Sequence, residues 1–287
     1  GRRRMTAVLV FEVGYNLVNV ALGLWFVLSL GWGIEGIAWS SLIAEYVKLV
    51  AVGGFVFARM GGPVLAAQAR DRSVLQWDAM RRFLSVNRDL FLRTVVLMVA
   101  LAALTRLSAE RGAVTLAANG IMYQLFVVTA LLLDGFENAA QVLNGERAGD
   151  DDRDGFAAAL RAILMRGFGT AALVALGFVF LADPILASFA ATDEVTVAAQ
   201  ALAPWLIVIP FAGVASFVFD GAFVGASWTR ALLVSMVGAA AGYALALWLT
   251  WPLGNNGLWL SFCLFLALRA ALQAALLPRL LRRGFAR

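Results

Sequence analysis

Residues 113–144 read AVTLAANGIMYQLFVVTALLLDGFENAAQVLN, and what they become decides the fold. The stretch begins as an apolar run long enough to cross a bilayer, which takes roughly 20 helical residues. It ends in Leu131–Asn144, where Asp134, Glu137, Gln141 and Asn144 follow one another at spacings of three, four and three. On a helix that spacing sets all four on one face. An ionisable side chain inside a membrane helix costs at least ~3 kcal/mol on the mildest scale, so it faces a cavity or a partner. The alternative is that these residues mark a helix emerging into cytosolic water. A second such stretch, FDGAF around Asp220, comes later in the chain.

Composition supports the membrane reading. Of 287 residues, 62% are hydrophobic and 14% charged, with a mean hydropathy of +0.84. A soluble domain of this size carries far more charge, so the chain reads as a multi-span membrane protein. It has no histidine, so proton chemistry falls to carboxylates and imidazole-held metals are excluded. The single cysteine, Cys263, lies in an apolar run and reads as a small filler. The net charge of +5 sits in short clusters between apolar runs. That is an orientation signal, not a nucleic-acid surface.

Eight apolar spans can be drawn, at 6–30, 36–58, 90–108, 113–142, 156–182, 196–219, 231–251 and 257–280. Most connections are short, which makes successive spans antiparallel neighbours. With Arg2–Arg4 placed in the cytoplasm, 18 of the 23 basic residues fall inside, against Arg106 and Arg111 outside. Lys48, Arg93 and Arg269 lie within spans. This asymmetry predicts both ends of the chain inside the cell. The longest connection joins spans two and three. There Ser73-x-x-Gln76 offers a capping box, and Val74, Trp77, Met80 and Leu84 recur at helical spacing. These features predict an amphipathic helix on the inner membrane surface and a boundary between two lobes.

An internal repeat agrees with that boundary. Ala21–Trp25 reads ALGLW and Ala244–Trp248 reads ALALW. Each precedes a glycine-rich loop, after which Gly36 and Ser40 keep the same separation as Gly257 and Ser261. Spans one and two thus resemble spans seven and eight. Four spans precede the second pair and none the first, so duplicated halves imply four further spans upstream, in keeping with an opening GRRRM. Such duplication is common in secondary transporters.

The intramembrane charges are Glu12, Glu45, Lys48, Asp89, Arg93, Asp134, Glu137, Asp220 and Arg269. A carboxylate caught between burial and a nearby cation can bind a proton on one side of a membrane and release it on the other. When ionised, it attracts a cation. Asp89 and Arg93, four apart, are expected to pair, as are Glu45 and Lys48 at three apart. Arg269 is too deep in its span to be an end anchor and calls for Asp220 or Asp134 as its partner. Asn16 and Asn19 share a face of span one, where they bond to another helix or line a cavity. Gly221 and Gly225, after Asp220, permit close helix packing. Asp150–Asp154, DDDRD, fits a DDxxD pattern that can hold Mg²⁺ and diphosphate. Without a second aspartate-rich motif, a prenyl-transfer enzyme is only a distant alternative. Asp154 is placed to cap span five.

The stretches NLVNVALGLW (16–25), LIAEY (42–46), NRDLFLRT (87–94), LAAN (116–119), LDGFENAA (133–140), FDGAFVGASWTR (219–230) and PLGNNGLWLSF (252–262) run in order along nearly the whole chain. Together with Arg269 and LLPR at 276–279, they resemble the multidrug and toxic compound extrusion (MATE) family, in its DinF-like branch. The resemblance implies an all-α polytopic bundle of twelve helices in two six-helix lobes, with this chain supplying helices five to twelve. Residues 1–59 would end the N-lobe, 60–87 would form the interlobe linker, and 88–287 would form the C-lobe. It further implies a cation-coupled exporter of amphipathic or cationic compounds, working by alternating access, and no enzyme.

Asp220 maps onto the carboxylate of family helix ten, with a role in coupling or substrate binding. Two places depart from the family pattern. Gly23 stands where helix five has an Asp, and helix eight has Glu137 for an Ala and Gln141 for a Glu. The expected ion-coupling and substrate cavity is Asp134, Glu137, Asp220, Arg269 and Gln141, with Asn16, Asn19, Asn119 and Arg93 as further lining. No cofactor or metal is expected beyond H⁺ or Na⁺ as coupling ion. The expected partners are the lipid bilayer and small molecules, not nucleic acid. The expected setting is a monomer in the bacterial inner membrane. A flippase of lipid-linked precursors is the nearest alternative.

Overall fold

The computed structural model describes residues 5–60 and 77–285. Every described element is helical: α1 Met5–Leu24, α2 Gly33–Met60, α3 Trp77–Glu110, α4 Ala113–Gly149, α5 Arg153–Phe189, α6 Asp193–Gln200, α7 Ala203–Gly225, α8 Thr229–Thr250 and α9 Gly254–Gly284. All but α6 are long and apolar enough to cross a membrane. The described residues form a polytopic helical bundle with seven candidate membrane-crossing stretches, the last of which, Thr229–Gly284, contains both α8 and α9, so each of the eight apolar runs falls on a long helix.

Most helices outlast their apolar runs, because caps and charged last turns carry them past the hydrocarbon. The expected span 196–219 is instead divided: α6 ends at Gln200 and the spanning helix begins at Ala203. Pro204 falls in the first turn of α7, where its missing N–H is no loss and where it favours a helix start. The expected amphipathic linker helix lies partly on residues 61–76, outside the described residues. From Trp77 the chain is already in α3, which continues unbroken into the third span.

Two compact units result, Gly1–Met80 and Arg81–Arg287. In the first, α1 and α2 form an antiparallel hairpin. Phe11 meets Phe55 edge-on at 5.5 Å, Lys48 Nζ binds Glu12 Oε1 at 2.7 Å, and Ser40 Oγ donates to Asn19 Oδ1 at 3.0 Å. Lys48 therefore pairs across the hairpin rather than with Glu45 on its own helix. At the turn, a Cβ on Gly36 would press on Phe26, in the last turn of the preceding span.

The equivalent hairpin of the repeat, α8–α9, shows the same device. A Cβ on Gly257 would press on the Thr250 carbonyl, and Ser261 Oγ bonds Thr250 Oγ1 at 2.8 Å. Both serines, Ser40 and Ser261, are buried. The repeated glycine and serine thus do the same packing in both halves.

In the second unit α7 is central, packed against α4, α5, α8 and α9. Its small residues allow this. Gly221 lies on the Glu137 backbone carbonyl and Gly225 on that of Gln141, while Gly145 lies on Gly225. The contacts advance together along both chains, so α4 and α7 run parallel and nearly backbone to backbone, as small-residue interfaces permit. By contrast α3 makes no comparably close backbone approach to another described helix. It joins the bundle through side chains such as Ala100 and Leu104. Outward faces such as Val128, Leu131, Leu173 and Phe180 are exposed and apolar, as expected where lipid is the solvent.

Candidate functional site

Asp220 is the electrostatic centre of the second unit. It is wholly buried on α7. Its Oδ2 accepts from both Arg93 on α3 and Arg269 on α9, and its Oδ1 accepts from Gln273 Nε2. Of the two partners left open for Arg269, the structure selects Asp220. Arg93 does not pair with Asp89. That carboxylate, itself buried, instead takes the neighbouring Arg88 at 2.9 Å. A buried carboxylate with two guanidinium partners is tolerable only when hydrogen bonds satisfy it on both oxygens, as they do here.

Beside this cluster lies a cavity of about 270 Å³ lined by charged Arg93, Asp134, Glu137 and Arg269 and by the rings of Phe126, Phe217, Phe262 and Phe265. Arg269 is held between ring faces, its guanidinium carbon 5.9 Å from the Phe217 centroid and 5.7 Å from that of Phe265. Asp134 and Glu137 are half-buried. Four helices contribute, and α4 supplies both acids.

The acidic face of α4 does not stay together. Gln141 is exposed and is not part of the cavity wall. Asn144 is buried and donates to the Phe156 carbonyl at 2.9 Å, tying α4 to α5. Asn119, expected as cavity lining, is a hub elsewhere. Its Nδ2 donates to Ser108 Oγ at 2.7 Å and to Asn255 Oδ1 at 2.8 Å. Its Oδ1 accepts from Asn255 Nδ2 at 3.0 Å and Trp259 Nε1 at 2.9 Å. With both polar atoms engaged, it fastens α3, α4 and α9. Asn16 bonds back to the Glu12 carbonyl at 2.8 Å, and Asn19 makes the interhelical bond to Ser40.

Within DDDRD it is Asp152, not Asp154, that caps α5. Asp152 Oδ1 accepts from the Gly155 N–H at 2.8 Å and Oδ2 pairs with Arg147 Nη1 at 2.8 Å. Gln273 and the four phenylalanines complete the site without standing out in the sequence. The i,i+4 spacing of Gln273 from Arg269 was the available signal for the first.

A polytopic bundle with a charged, ring-lined internal cavity is the class this chain represents. Residues 90–248 match the MatE family, and the chain belongs to that family. Over 281 residues it is 33% identical to DNA damage-inducible protein F of Escherichia coli strain K12, covering 96% of this chain and 60% of that protein. It is 25% identical to Protein DETOXIFICATION 44, chloroplastic, of Arabidopsis thaliana, over 94% of this chain and 50% of that one. The chain thus spans well under two-thirds of the relatives' length. A mutant of the Vibrio cholerae MATE transporter VcmN superposes with a TM-score of 0.83 at 16% identity, over 97% of this chain and 63% of that one. A MOP-superfamily transporter from Pyrococcus furiosus, described as having a binding pocket of reverse polarity, gives 0.76 at 18% identity, over 97% of this chain and 63% of that one.

Proposed function

We propose that the protein is a secondary transporter, not an enzyme, that exports amphipathic cationic compounds in exchange for H⁺ or Na⁺. It works by alternating access as a monomer in the bacterial inner membrane, with the C-terminus in the cytoplasm. The observation that supports this most is the cavity that sets Asp134 and Glu137 among four phenylalanine rings. Carboxylates and ring faces both attract an organic cation, more strongly where water is scarce. Coupling falls to the same acids, since a site that can hold either cargo or a small cation exchanges one for the other.

Arg93 and Arg269 also line this cavity, and they favour a second reading, a flippase for anionic amphiphiles. Their common bond to Asp220 takes up much of that positive charge, so the first reading is preferred. The test is the full-length protein in liposomes carrying an imposed pH or Na⁺ gradient. Gradient-driven movement of a fluorescent organic cation is expected. Movement of a fluorescent anionic amphiphile alone would support the flippase, and movement of neither would refute both.

A further inference from the structure

The cavity is small for an amphiphilic cargo. Drug-sized ligands occupy pockets of roughly 300–1,000 Å³, and this one holds about 270 Å³. A compact charged head fits such a space; a head with a long apolar tail does not.

The walls differ in how firmly they are held. Phe126, Phe262, Phe265 and Leu266 form a floor of buried core residues. Gly221 and Gly225 seal α4 to α7, backbone against backbone. At one end of the bundle the Asn119 hub ties the helices together, and Arg111 lies with its guanidinium carbon 4.3 Å from the Trp251 ring centroid. At the other end Trp228 meets Phe223 at 5.6 Å and Phe156 at 5.4 Å, and Phe285 closes on Phe156 at 5.6 Å. Both ends are thus filled.

The roof is α3, and it is held differently. Arg93, Leu97 and Leu101 line the cavity, yet no residue from Phe91 to Val99 is buried. Burial along α3 resumes at Ala100, Leu104 and Ser108, where Ser108 is bonded to Asn119. The outward residues of the loose stretch, Phe91, Met98 and Val99, are apolar and exposed. Leu97 lies at the middle of the candidate span Phe83–Glu110, so an opening there meets hydrocarbon and not water.

We propose that the cavity receives only the head of its cargo, which enters sideways beneath the Phe91–Val99 stretch of α3 while the tail stays in the bilayer. The cargo class is an amphiphile with one compact charged head on a single long apolar tail. The loose stretch swings on the docked half of α3, Ala100–Ser108. Head size and charge are selected by the cavity. Tail length is not selected, because the tail never leaves lipid and gains no further apolar burial. That the head is cationic rests on the transport reading above; the sideways route does not.

The experiment takes full-length protein in lipid nanodiscs and two series of alkylammonium ions. In the first the head is trimethylammonium and the tail grows from butyl to hexadecyl. In the second the tail is dodecyl and the head grows from trimethyl to tributyl. Affinity, referred to the concentration dissolved in the lipid, should stay level along the first series. Along the second it should fall by roughly ten- to a hundredfold as the head overfills the cavity. Leu97→Ala should move that limit to a larger head and leave the tail series level. A cut-off at some tail length means that the whole molecule is enclosed, and overturns the proposal, as does a head series without a limit. A dodecyl probe with a terminal diazirine locates the tail. The labelling that excess butyltrimethylammonium removes should fall on α3 near Met98; labelling of Phe262 or Phe265 in its place overturns the sideways route. If no ammonium head binds while an alkyl sulfonate of the same tail shows both patterns, the cation reading fails and the route stands. Ammonium binding with a tail cut-off does the reverse, and binding of neither head refutes both.

Discussion

Asp220→Asn removes the one charge that Arg93 and Arg269 share, with almost no change in shape. Part of the hydrogen bonding survives. The Asn oxygen still accepts from a guanidinium, and Gln273, whose Oε1 has no partner, can rotate its amide to accept from the new NH₂ group. What cannot be repaired is the charge: buried Arg269 and half-buried Arg93 are left with no anion between them. Breaking a buried pair by removing one partner costs about 3–5 kcal/mol. At roughly 2 °C per kcal/mol for a chain of this size, the apparent Tm falls by about 6–10 °C. Thermal unfolding of the detergent-solubilised full-length protein, followed by size-exclusion chromatography, measures it. Asp220→Asn combined with Arg93→Gln should regain part of the loss, because the second change removes a stranded charge. Asp220→Asn melting with the wild type would refute the reasoning. So would a double variant as unstable as the sum of the two single changes.

Other outcomes follow from the packing. Gly221→Ala drives a methyl group into the Glu137 carbonyl and should destabilise by about 1–3 kcal/mol or more. Gly135→Ala, on the same α4 with nothing within 4 Å, should be neutral or up to ~1 kcal/mol stabilising; the same melting assay separates them. Asn119→Ala strands Trp259 Nε1 and both ends of the Asn255 amide, and should cost about 1–3 kcal/mol, seen as a lower Tm. Asp152→Ala removes the α5 cap and should cost about 0.5–2 kcal/mol. Hydrogen exchange should then quicken at Gly155 while Gly213 in α7 keeps its protection.

The spans were legible because a bilayer imposes a length and a hydropathy that few other constraints imitate. The hairpin repeat was legible for a similar reason. Gly36 and Gly257 each let a helix start against the end of its predecessor, and Ser40 and Ser261 each bond back to it, so the same letters return at the same spacing. The site was legible by residue and not by partner. Spacing predicted Asp89–Arg93 and Glu45–Lys48, both within one helix, whereas the structure pairs Arg93 with Asp220 and Lys48 with Glu12. Periodicity says which residues share a face of their own helix, but not which neighbour that face meets. Gln141 and Asn144 show the same limit. They share a stripe with Asp134 and Glu137, yet one is exposed and the other is spent on the Phe156 carbonyl, because α4 crosses α7 at Gly221 and Gly225 and then meets α5.

From the sequence alone came a membrane chain of eight spans, the pairing of its hairpins, the acids and arginines that matter and the resemblance to its family. These follow from hydropathy and short-range spacing, which act along the chain. The tertiary structure alone decided that Asp220 anchors two arginines, that Asn119 fastens three helices, and that Asp134 and Glu137 share a cavity with four phenylalanine rings. Those outcomes depend on how closely α4, α7 and α9 approach one another. That approach is set by glycines whose partners lie some 80 residues away, as Gly221 does from Glu137, beyond the reach of any local pattern. The stretch at 113–144 shows both: its helix was written in the sequence, and the division of its polar face was made by its neighbours.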